Sequence, residues 1–298
     1  MKYLITGASG HLGQKVVAHL RKYVDETEVR VGIHNMKKAS LFENTGLEIS
    51  HLDYFDPSTI DQSFQNVDVL VYIPSITYDL TRRVQEFENV LAGAQRNHIE
   101  NFIFVSFFAD QVNNPFQMSP FYAYVPRRLA GSGLAYAYVR NTIYADPLIP
   151  YLPELIERGH VIYPVGDQPL SFISRDDSAE AIARLATEPA LRGHGQSYLL
   201  SMPQNYNMVE LAELMTEVTG HSISYRPVTV EQFGRIYQND GGAELASMYE
   251  AGQRGLMKET SNDFHRLTGM APTDMAKFLH DHYGKEKIMV DYRMKLAT

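Results

Sequence analysis

The chain has 298 residues, 44% hydrophobic and 21% charged, a balance that sets aside disorder and leaves room for two domains or one large α/β domain with an appended lobe. It holds no cysteine, which excludes disulfides, Cys-ligated zinc and a thiol nucleophile, and fits a reducing cytoplasm. A formal net charge of −8, with no basic run longer than pairs such as Lys37–Lys38 and Arg127–Arg128, opposes direct nucleic-acid binding.

Short apolar runs alternate with helical patterns through the first half. "KYLIT" reads as a strand with no signal-peptide pattern before it, and no later stretch reaches the roughly 18 apolar residues of a membrane span. Leu12, Val16, Leu20 and Val24 then recur every four residues, the apolar face of a helix. "EVRVGI" alternates as a second strand and "LEISHL" makes a third, followed by Asp56 as N-cap and Pro57 at the first helical position. "VDVLVYI" is apolar nearly throughout, as a strand buried on both faces should be. A helix from about Asp79 to Asn97 leads to "NFIFVSF", and "LAYAYVR" is a sixth strand. Such alternation predicts an α/β fold, a Rossmann-like doubly wound parallel sheet.

After Arg140 the pattern changes. "ADPLIPYLPELIERG" carries three prolines and predicts a loop with a short helix. "SRDDSAEAIARLA" is a helix capped by Ser174 or Asp176, and "QSYLLS" returns as a strand. From Met202 onward the pattern is mostly helical, apart from "SISYRPV". Residues 1–145 are thus expected to form a dinucleotide-binding domain to which 171–201 returns. Residues 146–170 and 202–298 would form a smaller, mostly helical lobe over the C-terminal edge of the sheet.

Between the first strand and its helix stand Gly7, Gly10 and Gly13. A Rossmann turn needs glycine for the tight turn, for close approach of backbone to pyrophosphate, and for close helix–strand packing. The helix N-terminus beyond them offers free N–H groups and a positive dipole end worth roughly 0.3–1 kcal/mol. Thr6, Gly7, Ser9, Gly10, His11, Leu12 and Gly13 are the expected cradle. The second strand ends in "GIHNMKK", with His34, Asn35, Lys37 and Lys38 where an NAD site presents an acid for the ribose. A 2′-phosphate fits that group better, so NADP(H) is favoured over NAD(H).

"LITGASGHLG", "GIHNMKKA", "HLDYFDPSTI", "NFIFVSF", "LAGSGLAYAYVRN" and "YNMVELAELMTEVTGHSISYRPV" together resemble the NmrA-like branch of the atypical short-chain dehydrogenase/reductases, over nearly the whole chain and in the expected order. That branch includes NADPH quinone reductases, azo- and triphenylmethane-dye reductases, and regulators that bind the nucleotide without turning it over. The resemblance implies Gly7 to Gly13 at the pyrophosphate, and Asp53 and Tyr54 at the adenine. It implies Ile73, Pro74 and Ser75 with Ser106, Phe107 and Phe108 around the nicotinamide. His34 stands where the family often has Arg, and Asp177 matches an aspartate read as a helix cap rather than a metal ligand.

Short-chain dehydrogenases typically use a Tyr with a Lys four positions later. In "FYAYVPRRLAGSG" Arg127 aligns with that Lys; Tyr124 to Arg128 keeps the spacing with a different cation, and Tyr122 is a second candidate phenol. Bringing a Tyr from ~10 to ~7 takes about 4 kcal/mol. A cation ~4 Å away at an effective dielectric of ~20 supplies about that much, and half of it at ~8 Å. Pro126 is expected to kink or delay the helix, and an Arg fork does not replace Lys faithfully. Tyr122, Tyr124 and Arg127 are the candidate catalytic residues, and Arg127 is also expected to contact the nucleotide. Phe108, Asn114, Phe116, Met118 and Tyr144 are the candidate acceptor pocket, with Tyr151, Met248 and Tyr249 as possible closures from the smaller lobe. No metal site is expected; His280 and His282 lie two apart and face different ways on a helix.

The expectation is an NADPH-dependent reductase acting on a quinone-like or other small electrophilic acceptor. The alternatives are a nucleotide-sensing regulator that binds a protein partner, and, third, a sugar-nucleotide epimerase. A homodimer fits any of them.

Overall fold

The computed structural model describes residues 1–283; the remaining expected lobe residues, 284–298, lie outside the described residues. Seven strands form the main sheet: β1 Tyr3–Ile5, β2 Val29–Ile33, β3 Glu48–His51, β4 Val69–Tyr72, β5 Asn101–Phe107, β6 Ala135–Asn141 and β7 Gln196–Leu200. All neighbours pair parallel, in the order β7-β6-β5-β4-β1-β2-β3. The order reverses beside β1, whose Tyr3 sits between Val29 and Val69. At that switch point the loops after β1 and β4 diverge and open a crevice at the C-terminal ends of the strands.

Strand alternation sorts the core into two layers. Ile5, Val31, Val71, Val105 and Val139 face one side, where they meet Val16 and Leu20 of α1 (His11–Leu20) and Ala179 and Ile182 of α6 (Arg175–Thr187). Leu4, Leu70, Tyr72, Phe102 and Phe104 face the other. There they meet α2 (Pro57–Phe64), α3 (Leu80–Arg96) and α4 (Ser119–Ala130) through Phe64, Phe87, Phe121 and Val125. Burying each such side chain contributes about 1.5–3 kcal/mol, enough to hold the strand ends in register. Because both faces are covered, β2 is buried at all five positions rather than alternating with solvent as its sequence predicts.

Local signals set the boundaries. The Asp56 side chain caps α2 ahead of Pro57, Asp79 and Asn97 flank α3, and the Ser174 hydroxyl accepts from the Asp177 amide at the start of α6. Two predicted features differ. α1 stops at Leu20, so Val24 falls in the turn beyond it. The three-proline segment forms a full helix, α5 (Leu148–Arg158). Pro147 is its N-cap and Pro150 lies in the first turn, where no N–H is needed; only Pro153 removes a bond from the ladder.

A third cluster gathers α5, α7 (Met208–Thr219), α8 (Val230–Ile236), α9 (Gly242–Gln253) and residues 275–283 around Leu152, Leu155, Phe233 and Phe278. One stretch departs from the expected lobe: Phe264 and Leu267 of α10 (Asp263–Thr268) are buried with the α1/α6 layer, and Asp263 accepts from the Leu199 amide. Among the described residues no helix is long and apolar enough to cross a membrane.

Candidate active site

A cleft of about 720 Å³ runs along the C-terminal ends of β1 to β5. One end is built from backbone. Gly7 takes a left-handed conformation, φ +59°, that turns the chain out of β1. A Cβ on Gly13 would lie 2.3 Å from the Gly7 carbonyl oxygen, so only glycine lets α1 begin this close to the loop. Gly10 is the N-cap and no side chain caps the helix, which leaves the first-turn amides free toward the cleft. Gly7, Ser9, Gly10, His11, Leu12 and Gly13 all line it. Thr6 lies just behind, its hydroxyl exchanging hydrogen bonds with Ile73, which ties the β1 and β4 ends together. A loop of free amides that only glycines allow fits a pyrophosphate.

Beyond the loop, His34, Lys38, Asp53 and Tyr54 line the cleft. His34 is 74% exposed, with Nδ1 4.0 Å from the Asp53 carboxylate. Asn35 stays out of the cleft, its side chain capping the short helix that begins at Met36. The Tyr54 phenol donates to the Ile73 carbonyl, and burial pushes its pKa above the ordinary value.

The other end is built from side chains. Ile73, Pro74, Ser75, Ser106, Phe107, Tyr122 and Tyr144 line it. Ser106 is 4% exposed and its hydroxyl has no partner among the described residues. Tyr122 is wedged among Phe107, Phe116 and Phe121, with ring centroids 5.4–6.3 Å away. Arg83, buried on α3, donates from Nη1 to the Tyr122 oxygen at 3.3 Å and from Nη2 to the Ser75 carbonyl at 2.6 Å. Burial pushes the Tyr122 phenol up while Arg83 draws it down. Glu86 is buried alongside, bonded to the Ser75 hydroxyl and to Arg82. The Arg175 guanidinium lies 5.2 Å from the centre of the Tyr144 ring, and burial pushes that phenol up too. From α9, Glu244 approaches this group; burial raises its carboxyl to about 7, with Arg83 opposing.

The structure parts the three expected catalytic residues. At about 100° per residue, Tyr124 and Arg127 stand far around α4 from Tyr122. Tyr124 is 37% exposed and donates to Glu88, which also pairs with Arg128. Arg127 is exposed, bonded to the Ala123 carbonyl and outside the cleft. Its expected cofactor contact is therefore corrected. Pro126 neither ends nor delays the helix, which runs on to Ala130.

Of the expected acceptor pocket only Tyr144 reaches the cleft. Phe116 backs Tyr122, while Phe108 and Met118 are buried in the core. Asn114 is tied to Gln111 and to the Phe116 amide. Tyr249 stacks on Tyr163 in the lobe, and neither Tyr151 nor Met248 lines the cleft. Asp177 acts as a tie, accepting from the Thr273 amide and hydroxyl. No cluster suited to a metal occurs among the described residues. Sequence reasoning missed Arg82, Arg83, Glu86 and Arg175. The α3 residues sit in "DLTRRVQEFENV" as an ordinary amphipathic helix, with no local mark of what faces the cleft.

The strand order, the glycine loop and the switch-point crevice define a dinucleotide-binding α/β protein. The model of the NmrA-like family matches residues 1–279, and the chain belongs to that family. It is similar to a Staphylococcus aureus structure described as a nucleoside-diphosphate-sugar epimerase, 38% identical with a TM-score of 0.89, covering 94% of this chain and 100% of that one. It also resembles quinone oxidoreductase 2 of Escherichia coli, 26% identical over 92% of this chain and 96% of the relative. A structure of that NADPH-dependent quinone oxidoreductase complexed with NADPH, 25% identical, superposes with a TM-score of 0.85, covering 93% of this chain and 98% of that one. Triphenylmethane reductase of Citrobacter sp., complexed with NADP(H), is 25% identical with a TM-score of 0.87, covering 95% of this chain and 100% of that one.

Proposed function

We propose that this protein is an NADPH-dependent reductase of small, flat electrophilic acceptors. The observation that carries the reading is one continuous cleft, lined at one end by the Gly7–Gly13 loop and at the other by Ser106, Phe107 and Tyr122. The relatives described as quinone and triphenylmethane reductases support it. When bound, the reduced nicotinamide supplies a hydride.

In this reading the loop amides hold the pyrophosphate. Asp53 and Tyr54 flank the adenine, and His34 and Lys38 meet the 2′-phosphate that distinguishes NADPH from NADH. Ile73, Pro74 and Ser75 bracket the nicotinamide with Ser106 and Phe107. Residues 1–145 and 171–201 serve the nucleotide, while the lobe brings Glu244 toward the acceptor. Phe107 and Tyr122 give a flat molecule a wall to stack on, which keeps water away from the reacting atoms.

The 38% identity to the epimerase favours sugar-nucleotide chemistry as a second reading. The cleft argues against it: four residues beyond Tyr122 stands Pro126, and the lining lysine, Lys38, lies at the other end. Titration of NADPH and NADH by nucleotide fluorescence, followed by NADPH oxidation against quinones and azo dyes, tests the proposal. Tighter binding of NADPH with turnover of at least one acceptor is expected. Binding without turnover on any acceptor would leave a nucleotide sensor instead.

A further inference from the structure

Arg83 is a buried cation that makes no ion pair among the described residues. The residue is 6% exposed, and among the described residues its two donated bonds go to neutral oxygens and its Nε has no partner. The buried Glu86 beside it pairs with Arg82 instead. Glu244 on α9 also faces this group; burial raises its carboxyl to about 7, and it forms no ion pair with Arg83 among the described residues. Buried charges are ordinarily paired, and a guanidinium left unpaired in a cleft is prepared for negative charge on whatever enters. Tyr122 shares that position, its ring fixed by three phenylalanines and its oxygen on the arginine.

We propose that Arg83 and Tyr122 form an oxyanion site that fits the cleft to flat carbonyl acceptors, quinones above all, and disfavours acceptors with a permanent positive charge. The inference rests on the reductase reading and names its substrate class. The hydride brings both electrons to the quinone and leaves a hydroquinone monoanion. The Tyr122 O–H bond breaks, and its proton passes to the acceptor oxygen. Arg83 holds the resulting phenolate until water returns the proton. A hydroquinone anion is itself a phenolate, so the proton moves between groups of like basicity, as efficient transfer requires. A cationic triphenylmethane dye takes hydride on carbon, needs no proton, and meets only repulsion from Arg83.

The test compares naphthoquinone with crystal violet, using the full chain as wild type, Arg83→Gln and Tyr122→Phe. A parallel titration with naphthol, which accepts no hydride, reads binding alone. The wild type should favour naphthoquinone. Arg83→Gln should lower kcat/KM for naphthoquinone about 100-fold and weaken naphthol, while crystal violet is unchanged or improved. Tyr122→Phe should lower kcat for naphthoquinone about 100-fold, leaving KM and the crystal violet rate within about twofold. Arg83→Lys, which keeps the charge but not the fork, should fall between wild type and Arg83→Gln. NADPH affinity, measured on every variant, reports folding. Equal losses on both acceptors, no loss on either, or a wild type that prefers crystal violet would overturn the proposal and leave the reductase reading standing. NADPH binding with reduction of neither acceptor would overturn that reading, and this inference with it.

Discussion

At one end of the cleft the groups that face a ligand are backbone amides, placed by three glycines within seven residues. At the other they are side chains from β5, α3 and α4, brought together across about 40 positions of sequence, with Arg83 donating to Tyr122. The first end depends on which residues are absent, since any Cβ at Gly13 would strike the loop. The second depends on which residues happen to face inward on two neighbouring helices. A local motif can specify the first, while only packing can specify the second.

Five changes bear on that contrast. Gly10→Asp puts a carboxylate at the N-cap, beside the free amides. Two like charges ~4 Å apart at an effective dielectric of ~20 repel by about 4 kcal/mol, so NADPH affinity should fall about 1000-fold by fluorescence titration. Unchanged affinity would break the backbone half of the comparison. Lys38→Ala should weaken NADPH about 10-fold, the value of a charge-assisted hydrogen bond, and leave NADH alone. Equal losses for both nucleotides would remove the 2′-phosphate assignment. Tyr124→Phe and Arg127→Ala should each change turnover less than about twofold, because both residues lie outside the cleft. A large loss from either would return catalysis to the predicted Tyr124/Arg127 pair.

The fifth change concerns the support under the loop. His19 on α1 bonds Asp176 and Glu180 on α6, and these carboxylates, Asp176 first, raise its pKa above the ordinary value of about 6.5. A raised folded pKa stabilises the protein fully below about pH 6.5, and that contribution is lost as pH rises through the folded value. Thermal unfolding of the wild type should therefore lose stability across that window relative to His19→Gln. Parallel curves would remove the His19 clamp from the account.

Much of the fold was legible because its signals are local. Asp56-Pro57, Asp79 with Asn97, and Ser174 mark helix ends where the structure has them. The glycine loop was legible for the same reason. What escaped is the phase of helices relative to the cleft. Tyr122, Tyr124 and Arg127 look alike along "FYAYVPRR", yet only Tyr122 faces inward, and the arginine that meets it comes from α3. The full length of the proline-rich α5 escaped too: a loop with a short helix was expected, but two of the three prolines occupy positions where a missing N–H costs nothing.

A single-turnover experiment tests the central claim most directly. The preformed NADPH complex is mixed anaerobically with excess naphthoquinone, and nucleotide fluorescence and hydroquinone are followed together. The account predicts that fluorescence decays to completion while one hydroquinone forms per nucleotide bound. Fluorescence that persists, with NADPH still bound and no hydroquinone formed, would contradict it.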